Sequence, residues 1–157
     1  MYRRRPVALV LTSLAAAFVV AGCGDSGSGS DPAAEPASEP AKPVAYESFQ
    51  SKTGNINCFM DSASGARCDI GQKTWSPPLK PKKCKVDWGF GLTVGSGRGQ
   101  FLCAGDTVVM PDSPVLGYGK SSSIGPFLCK SEKTGMTCTN TGTGHGFSLS
   151  KEAAKTF

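Results

Sequence analysis

The chain is short of the residues on which most chemistry at neutral pH depends. It has a single histidine, His145, and aromatic residues make up 8% of its 157 positions. No C-x-x-C pair occurs, which argues against a structural zinc site. No G-x-S-x-G occurs, so no nucleophile elbow is spelled out. No D-x-D-x-D-G loop is present for calcium. The glycine-rich stretch from Val94 to Gly99 is followed by neither G-K-[ST] nor a helix, so it is not a phosphate loop. Beyond residue 21 large apolar runs are few, and no helical periodicity is sustained. These absences set the expectation of no metal, no cofactor and no readily named catalytic machinery.

What is present begins at the N-terminus. Arg3, Arg4 and Arg5 precede an apolar run from Val7 to Ala21 broken only by Thr12 and Ser13. A charged start, a short apolar stretch and small residues at its end make an export signal. The run is about 15 residues, short of the ~20 a spanning helix needs. Val20-Ala21-Gly22-Cys23 resembles the bacterial lipobox. That resemblance implies cleavage after residue 22 and a thioether-linked diacylglyceryl group on Cys23, as in a palmitate-bearing lipoprotein. The arginine run would also suit twin-arginine export, but the rest of that motif is missing.

Residues 23–45 are built from Gly, Ser, Ala, Pro and acidic residues with no apolar face. Such a segment cannot offset its ordering entropy by burial and is expected to act as a disordered tether. About 20 residues of this kind reach roughly 25 Å as a coil and up to ~60 Å when extended. The formal net charge of the chain is +5. The signal contributes three arginines, and the tether is acidic through Asp25, Asp31, Glu35 and Glu39 against Lys42. The region from Tyr46 onward is therefore itself about +5. Such a mildly basic domain is biased towards anionic envelope surfaces and carries no nucleic-acid signature.

Residues 46–157 suffice for one domain. They hold Cys58, Cys68, Cys84, Cys103, Cys129 and Cys138, an even set once Cys23 is set aside. In an exported chain this reads as a disulfide framework, for which six cysteines allow 15 pairings. Turn signals lie between sequence neighbours: Ser62-Ala63-Ser64-Gly65, Gly95-Ser96-Gly97 and Glu132-Lys133-Thr134-Gly135. They favour Cys58–Cys68, Cys84–Cys103 and Cys129–Cys138, each closing a hairpin with its cysteines facing across two strands. Loop-closure entropy gives each bridge about 3 kcal/mol, so together they weigh on the scale of a whole domain's stability. Gly- and Pro-punctuated short runs predict an all-β domain of short antiparallel strands, sandwich- or barrel-like. Strands are expected at 48–51, 57–60, 66–70, 86–88, 91–94, 100–103, 107–110, 113–118, 126–130, 136–140 and 146–150, with one helix candidate at 151–156. The expected core is Phe49, Ile56, Phe59, Ile70, Trp88, Leu92, Val94, Phe101, Val108, Leu116, Phe127, Met136, Phe147 and Leu149. There is also an internal echo. Tyr46, Cys58 and Cys68 are spaced like Tyr118, Cys129 and Cys138, with Gly65 and Gly135 each three residues before the second cysteine. A duplicated hairpin unit and chance recurrence both account for it.

Four residues stand out as ligand contacts. His145 is flanked by Gly144 and Gly146; its bland reading is a turn histidine bonded to its neighbours. A hydrolase would use it as general base with Asp106 or Asp69 as orienter. Lys82 and Lys83 sit in a lysine cluster with Lys73, Lys80 and Lys85 around Trp75, which suits an anionic polymer or lipid headgroup, Trp75 stacking on a ring. The bland reading there is a solvated connector. Asp61, Asp69, Asp87, Asp106 and Asp112 lie near turns, and nothing in the sequence pairs them as a glycosidase would require.

TGNINC, ARCDI, Trp75-x-Pro77-Pro78, C-x-x-D-W-G from Cys84, C-A-G-D-T from Cys103 and N-x4-H-G-F-x-L-S from Asn140, taken together, resemble an uncharacterised family of actinobacterial exported proteins. The resemblance spans roughly residues 48–150 and implies an exported disulfide-bonded domain, with no activity to transfer. The sequence thus leads to a lipid-anchored monomer on the extracytoplasmic face of the cell membrane, binding a wall polymer, lipid headgroups or an exported protein without catalysis. The alternatives are a small hydrolase using His145, and an inhibitor of a secreted enzyme presenting a loop at 89–99.

Overall fold

The computed structural model describes residues 42–157. The expected export signal, Cys23 and all but the end of the expected tether lie outside the described residues. β1 (Ser48–Ser51), β2 (Ile56–Asp61), β3 (Gly65–Ile70), β4 (Asp87–Val94) and β5 (Gln100–Ala104) pair in chain order as an antiparallel meander. β6 (Val115–Leu116) joins the other side of β1 in parallel. β7 (Lys120–Ile124), β8 (Phe127–Glu132), β9 (Gly135–Asn140), β10 (Gly146–Leu149) and β11 (Ala154–Thr156) form a second antiparallel meander. The two sheets bury their inner faces against one another, as two-layer β architectures do.

Period-two alternation decides which residues enter the core. Ile56, Cys58 and Met60 point inward from β2, as do Ala66, Cys68 and Ile70 from β3. Phe127 and Cys129 of β8, Met136 and Cys138 of β9, and Phe147 and Leu149 of β10 answer them from the other sheet. Phe59 was an expected core residue, but it falls on the opposite face of β2 and is only half-buried; Met60 takes the inward position and is fully buried. Trp88, Phe101 and Val108 are likewise half-buried.

The three expected disulfides are all formed. Cys58 and Cys129 lie directly opposite Cys68 and Cys138 in their ladders, with Cα–Cα separations of 4.1 and 4.0 Å. This is the close spacing of non-hydrogen-bonded antiparallel pairs. The third bridge departs from the facing-pair expectation. Cys84 precedes β4 and Cys103 lies opposite Trp88, so this bridge ties the β3–β4 connector to β5.

The sequence echo extends well beyond two hairpins. In each meander the bridge joins the second and third strands. A Cβ at Gly65 would strike the carbonyl of Val94, and one at Gly135 that of Leu149, each on the fourth strand. Both glycines have positive φ, at 118° and 134°. Gly91 and Gly146 in turn lie against the carbonyls of Cys68 and Cys138. One five-strand plan is therefore used twice, and the two bridges meet in the middle, Cys68 Sγ lying 3.7 Å from Cys138 Sγ.

Other expectations are corrected. Residues 151–156 form no helix. The Ser150 hydroxyl accepts from the amides of Glu152 and Ala153, turning the chain so that β11 pairs with β10. Residues 107–110 form no strand, because side chains claim their amides: Val108 donates to Asp69 and Val109 to Thr107 Oγ1. The strand expected at 113–118 shrinks to β6. The two strands expected at 86–94 are one, β4, whose register shifts between Trp88 and Leu92. β7, KSSSI, has no apolar alternation and was not foreseen.

Candidate functional site

The loop between β3 and β4 crosses from one sheet to the other. Thr74 donates from its amide to the carbonyl of Lys151, at 2.8 Å, and the Trp75 indole N–H donates to the carbonyl of Ser150, at 2.9 Å. Trp75 packs edge-on against Phe101, 6.0 Å between centroids, and the Lys73 ammonium stands 4.5 Å above its indole. Lys73 also donates to the Gly89 carbonyl. Burial pushes its ammonium below the ordinary lysine pKa. Further along, the Trp88 indole donates to the Pro78 carbonyl at 2.8 Å. Pro77 lies where a Cβ on Gly89 would stand, and Gly89 has φ 72°. The W-x-P-P and D-W-G motifs are thus two sides of one contact.

This docking helps to form a groove of about 600 Å³ at one end of the sandwich. Its walls come from three reverse turns: Ser51 to Ile56, Glu132 to Gly135, and Ser150 to Glu152, with Gln72 and Tyr118 beside them. Asn55 stiffens one wall, its side-chain amide donating to the Gln72 carbonyl and accepting from the Gln72 amide. Lys52 lies 5.4 Å from the Tyr118 ring centre. Hydroxyls, amides, Lys133, Lys151 and two glutamates, Glu132 and Glu152, face a space open to solvent. This arrangement can hydrogen-bond a hydrated polar ligand. It presents no cysteine and no imidazole, hence no histidine-activated nucleophile.

None of the four residues singled out in the sequence lines this groove. Trp75 uses its ring and its indole N–H to dock the connector, so it is not an open stacking platform. Lys82 and Lys83 are exposed in the connector and lie apart from the groove walls. His145 is half-buried in the β9–β10 loop, where its carbonyl accepts from the Asn140 amide and its own amide faces Thr143 Oγ1. Among the described residues no carboxylate forms an ion pair with it. Its two candidate orienters are held elsewhere. Asp69 is buried and accepts from Arg67, the Thr107 hydroxyl and the Val108 amide, while Asp106 pairs with Arg67 at 2.9 Å. This Asp69–Arg67–Asp106 cluster went unseen in the sequence. Its signal is the i, i+2 spacing of Arg67 and Asp69 on one strand face, and it shows what ARCDI and C-A-G-D-T do together. Asn140 plays a similar part: its side chain donates to the Gly95 carbonyl and accepts from the amides of Gly142 and Thr143. Residues 89–94 are strand, so the loop expected at 89–99 reduces to the β4–β5 turn, with Gly99 buried.

Residues 32–157 match the model of a family described as "Family of unknown function (DUF6636)". The chain belongs to this family. The DUF6636 match takes in the whole sandwich and begins within the proline-rich stretch ahead of it. No curated protein matches the chain, and no solved structure does. Within this DUF6636 chain, the arginine, aspartate, asparagine, tryptophan and proline residues of the sequence motifs are the ones that fasten its loops.

Proposed function

We propose that this chain is an exported lipoprotein, attached through Cys23 to the extracytoplasmic face of the cell membrane, whose sandwich binds an envelope component without catalysis. The observation that carries the binding part is the groove. Its walls are turns braced by hydrogen bonds, it is rich in hydroxyl and amide groups, and it holds no nucleophile paired with an imidazole. Rigid loops that converge on a polar cleft suit recognition, because little ordering entropy is left to lose on binding. Three disulfides support an oxidising compartment, and Val20-Ala21-Gly22-Cys23 supports the anchor. The acidic, proline-containing tether supports a domain held away from its attachment point.

Metabolic labelling with a clickable palmitate analogue tests the anchor. The wild-type chain is expected to take up label and fractionate with membranes, and Cys23→Ser to do neither; label retained in Cys23→Ser would sink the reading. For the groove, the mature chain carrying Cys23→Ser is expected to cosediment with purified cell-wall sacculi, and a Tyr118→Ala/Lys151→Ala variant to cosediment less. Equal sedimentation of the two would remove the groove from the account.

A further inference from the structure

Leu79 is the most exposed large hydrophobic residue among the described residues, at 96%. It stands in the β3–β4 connector, in the run Leu79-Lys80-Pro81-Lys82-Lys83-Cys84-Lys85-Val86. Lys80, Lys82, Lys83 and Lys85 are all exposed, as is Val86 at 44%. From Gly71 to Val86 there is no acidic residue. Among the described residues none of the four lysines makes an ion pair.

The exposure of Leu79 is not that of a loose end. The residues on both sides are fixed: the Pro78 carbonyl accepts from Trp88, the Pro81 carbonyl accepts from the Cys84 amide at 2.9 Å, and Cys84 is bridged to Cys103. Pro77, Pro78 and Pro81 further restrict the backbone. The fold thus holds one bare leucine outward within a set of unpaired lysines.

We propose that this tip is a contact site for an anionic lipid bilayer. An apolar side chain at the point of a rigid loop enters the boundary between headgroups and acyl chains, while lysines around it meet the lipid phosphates and keep their stems against apolar surface. A soluble anionic polymer would use the lysines and leave Leu79 in water. The leucine is therefore the feature that selects a bilayer. One leucine and four lysines give weak, reversible attachment by themselves. On a chain tethered through Cys23 the encounter is intramolecular, so weak contact suffices to lay the domain on the membrane; that role rests on the lipoprotein reading above, whereas the lipid contact itself does not.

The test uses the mature chain with Cys23→Ser, which removes the acyl anchor, and sedimentation with two kinds of vesicle: phosphatidylcholine alone, and phosphatidylcholine mixed with phosphatidylglycerol. Binding is expected only to the anionic vesicles and is expected to fall as salt is raised. Lys82→Ser/Lys83→Ser is expected to weaken it about thirtyfold, and Leu79→Ser about tenfold. All three positions are exposed, and unchanged circular dichroism checks that the variants fold. Equal binding to neutral and anionic vesicles overturns the proposal, as does absence of binding to both. Soluble polyphosphate is the control for a wall-type polymer. If Leu79→Ser is without effect on vesicles while the lysine variant loses polyphosphate and vesicles alike, the tip is a polyanion site and the bilayer assignment fails. Acylation of Cys23 is read separately, so either result can fail alone.

Discussion

Asp69 shows how one side chain can fix several pieces of chain. It is buried, and its carboxylate accepts four hydrogen bonds: two from the Arg67 guanidinium, one from the Thr107 hydroxyl and one from the Val108 amide. A buried charge is tolerable when it is paired and bonded in this way, and removing its charge leaves the partners short. Asp69→Asn is expected to cost about 2–3 kcal/mol in urea unfolding, since the amide presents hydrogens towards groups that already donate. Asp106 pairs with the same arginine from a side chain that is 77% exposed. Asp106→Asn is expected to cost clearly less than Asp69→Asn, because water and salt screen an exposed pair. Equal costs for the two would mean that burial does not set the worth of this cluster. Of these contacts, the R-x-D spacing alone was visible in the sequence. The partners in residues 106–108 lie some 38 positions away along the chain, a distance that local pattern does not bridge.

At the scale of elements, the disulfides divide into two kinds. Cys58–Cys68 and Cys129–Cys138 are buried rungs of hairpins and touch one another through the core. Cys84–Cys103 fastens a connector to β5, and its Cys103 is exposed. Loop-closure entropy alone ranks the third bridge highest, at about 3 kcal/mol, because it closes the longest loop. Packing reverses that order. Replacing Cys129 and Cys138 by alanine removes two buried sulfurs and leaves a void, which adds to the entropic loss. The expected cost is about 4–5 kcal/mol for the Cys129→Ala/Cys138→Ala pair and about 3 kcal/mol for Cys84→Ser/Cys103→Ser. Urea unfolding of both variants checks the order; a larger loss for the outer pair would show that the connector contributes more than the core rung. The pairing itself was legible, because each turn signal sits between two cysteines close in sequence. The strands β7 and β11 were not. β7 is KSSSI at a sheet edge, with only Ser122 buried, and a strand that places a serine inward leaves no apolar period to read. β11 is three residues long and is specified by the Ser150 turn and by its partner β10.

The whole molecule responds to acid through carboxylates that the fold holds in their charged form. Asp61 lies below the ordinary aspartate range because the Ser64 amide, the Ser64 hydroxyl and the Ala63 amide donate to it in the β2–β3 turn. Asp106 lies below it because Arg67 donates to it and stands beside it. With a folded pKa under the unfolded value of about 3.9, each carboxylate binds fewer protons in the folded state. Its stabilising effect is complete above the unfolded value and is lost as pH falls through the folded one. The melting temperature is therefore expected to hold from neutrality to about pH 5 and to fall below about pH 4. Asp61→Asn and Asp106→Asn should each flatten that acid limb. A wild-type melting temperature that stays level to about pH 2 would contradict the assignment.

The sequence by itself determined what depends on neighbours along the chain: an all-β domain, most of its strands, its three bridges, and the likeness of its two cysteine hairpins. Each rests on alternation, turn residues or short spacing, and such signals act over a few residues. Only the tertiary structure decided that the likeness runs through two five-strand meanders, that Trp75 is a fastening for the connector, and that three distant turns enclose a polar groove. The same is true of Leu79. Its neighbours in sequence describe a lysine-rich connector, and contacts from Trp88, Gly89 and Cys103 hold that connector so that the leucine points away from the protein. Those outcomes depend on which surfaces meet when two sheets close over a shared core, and that is set by burial across the whole chain.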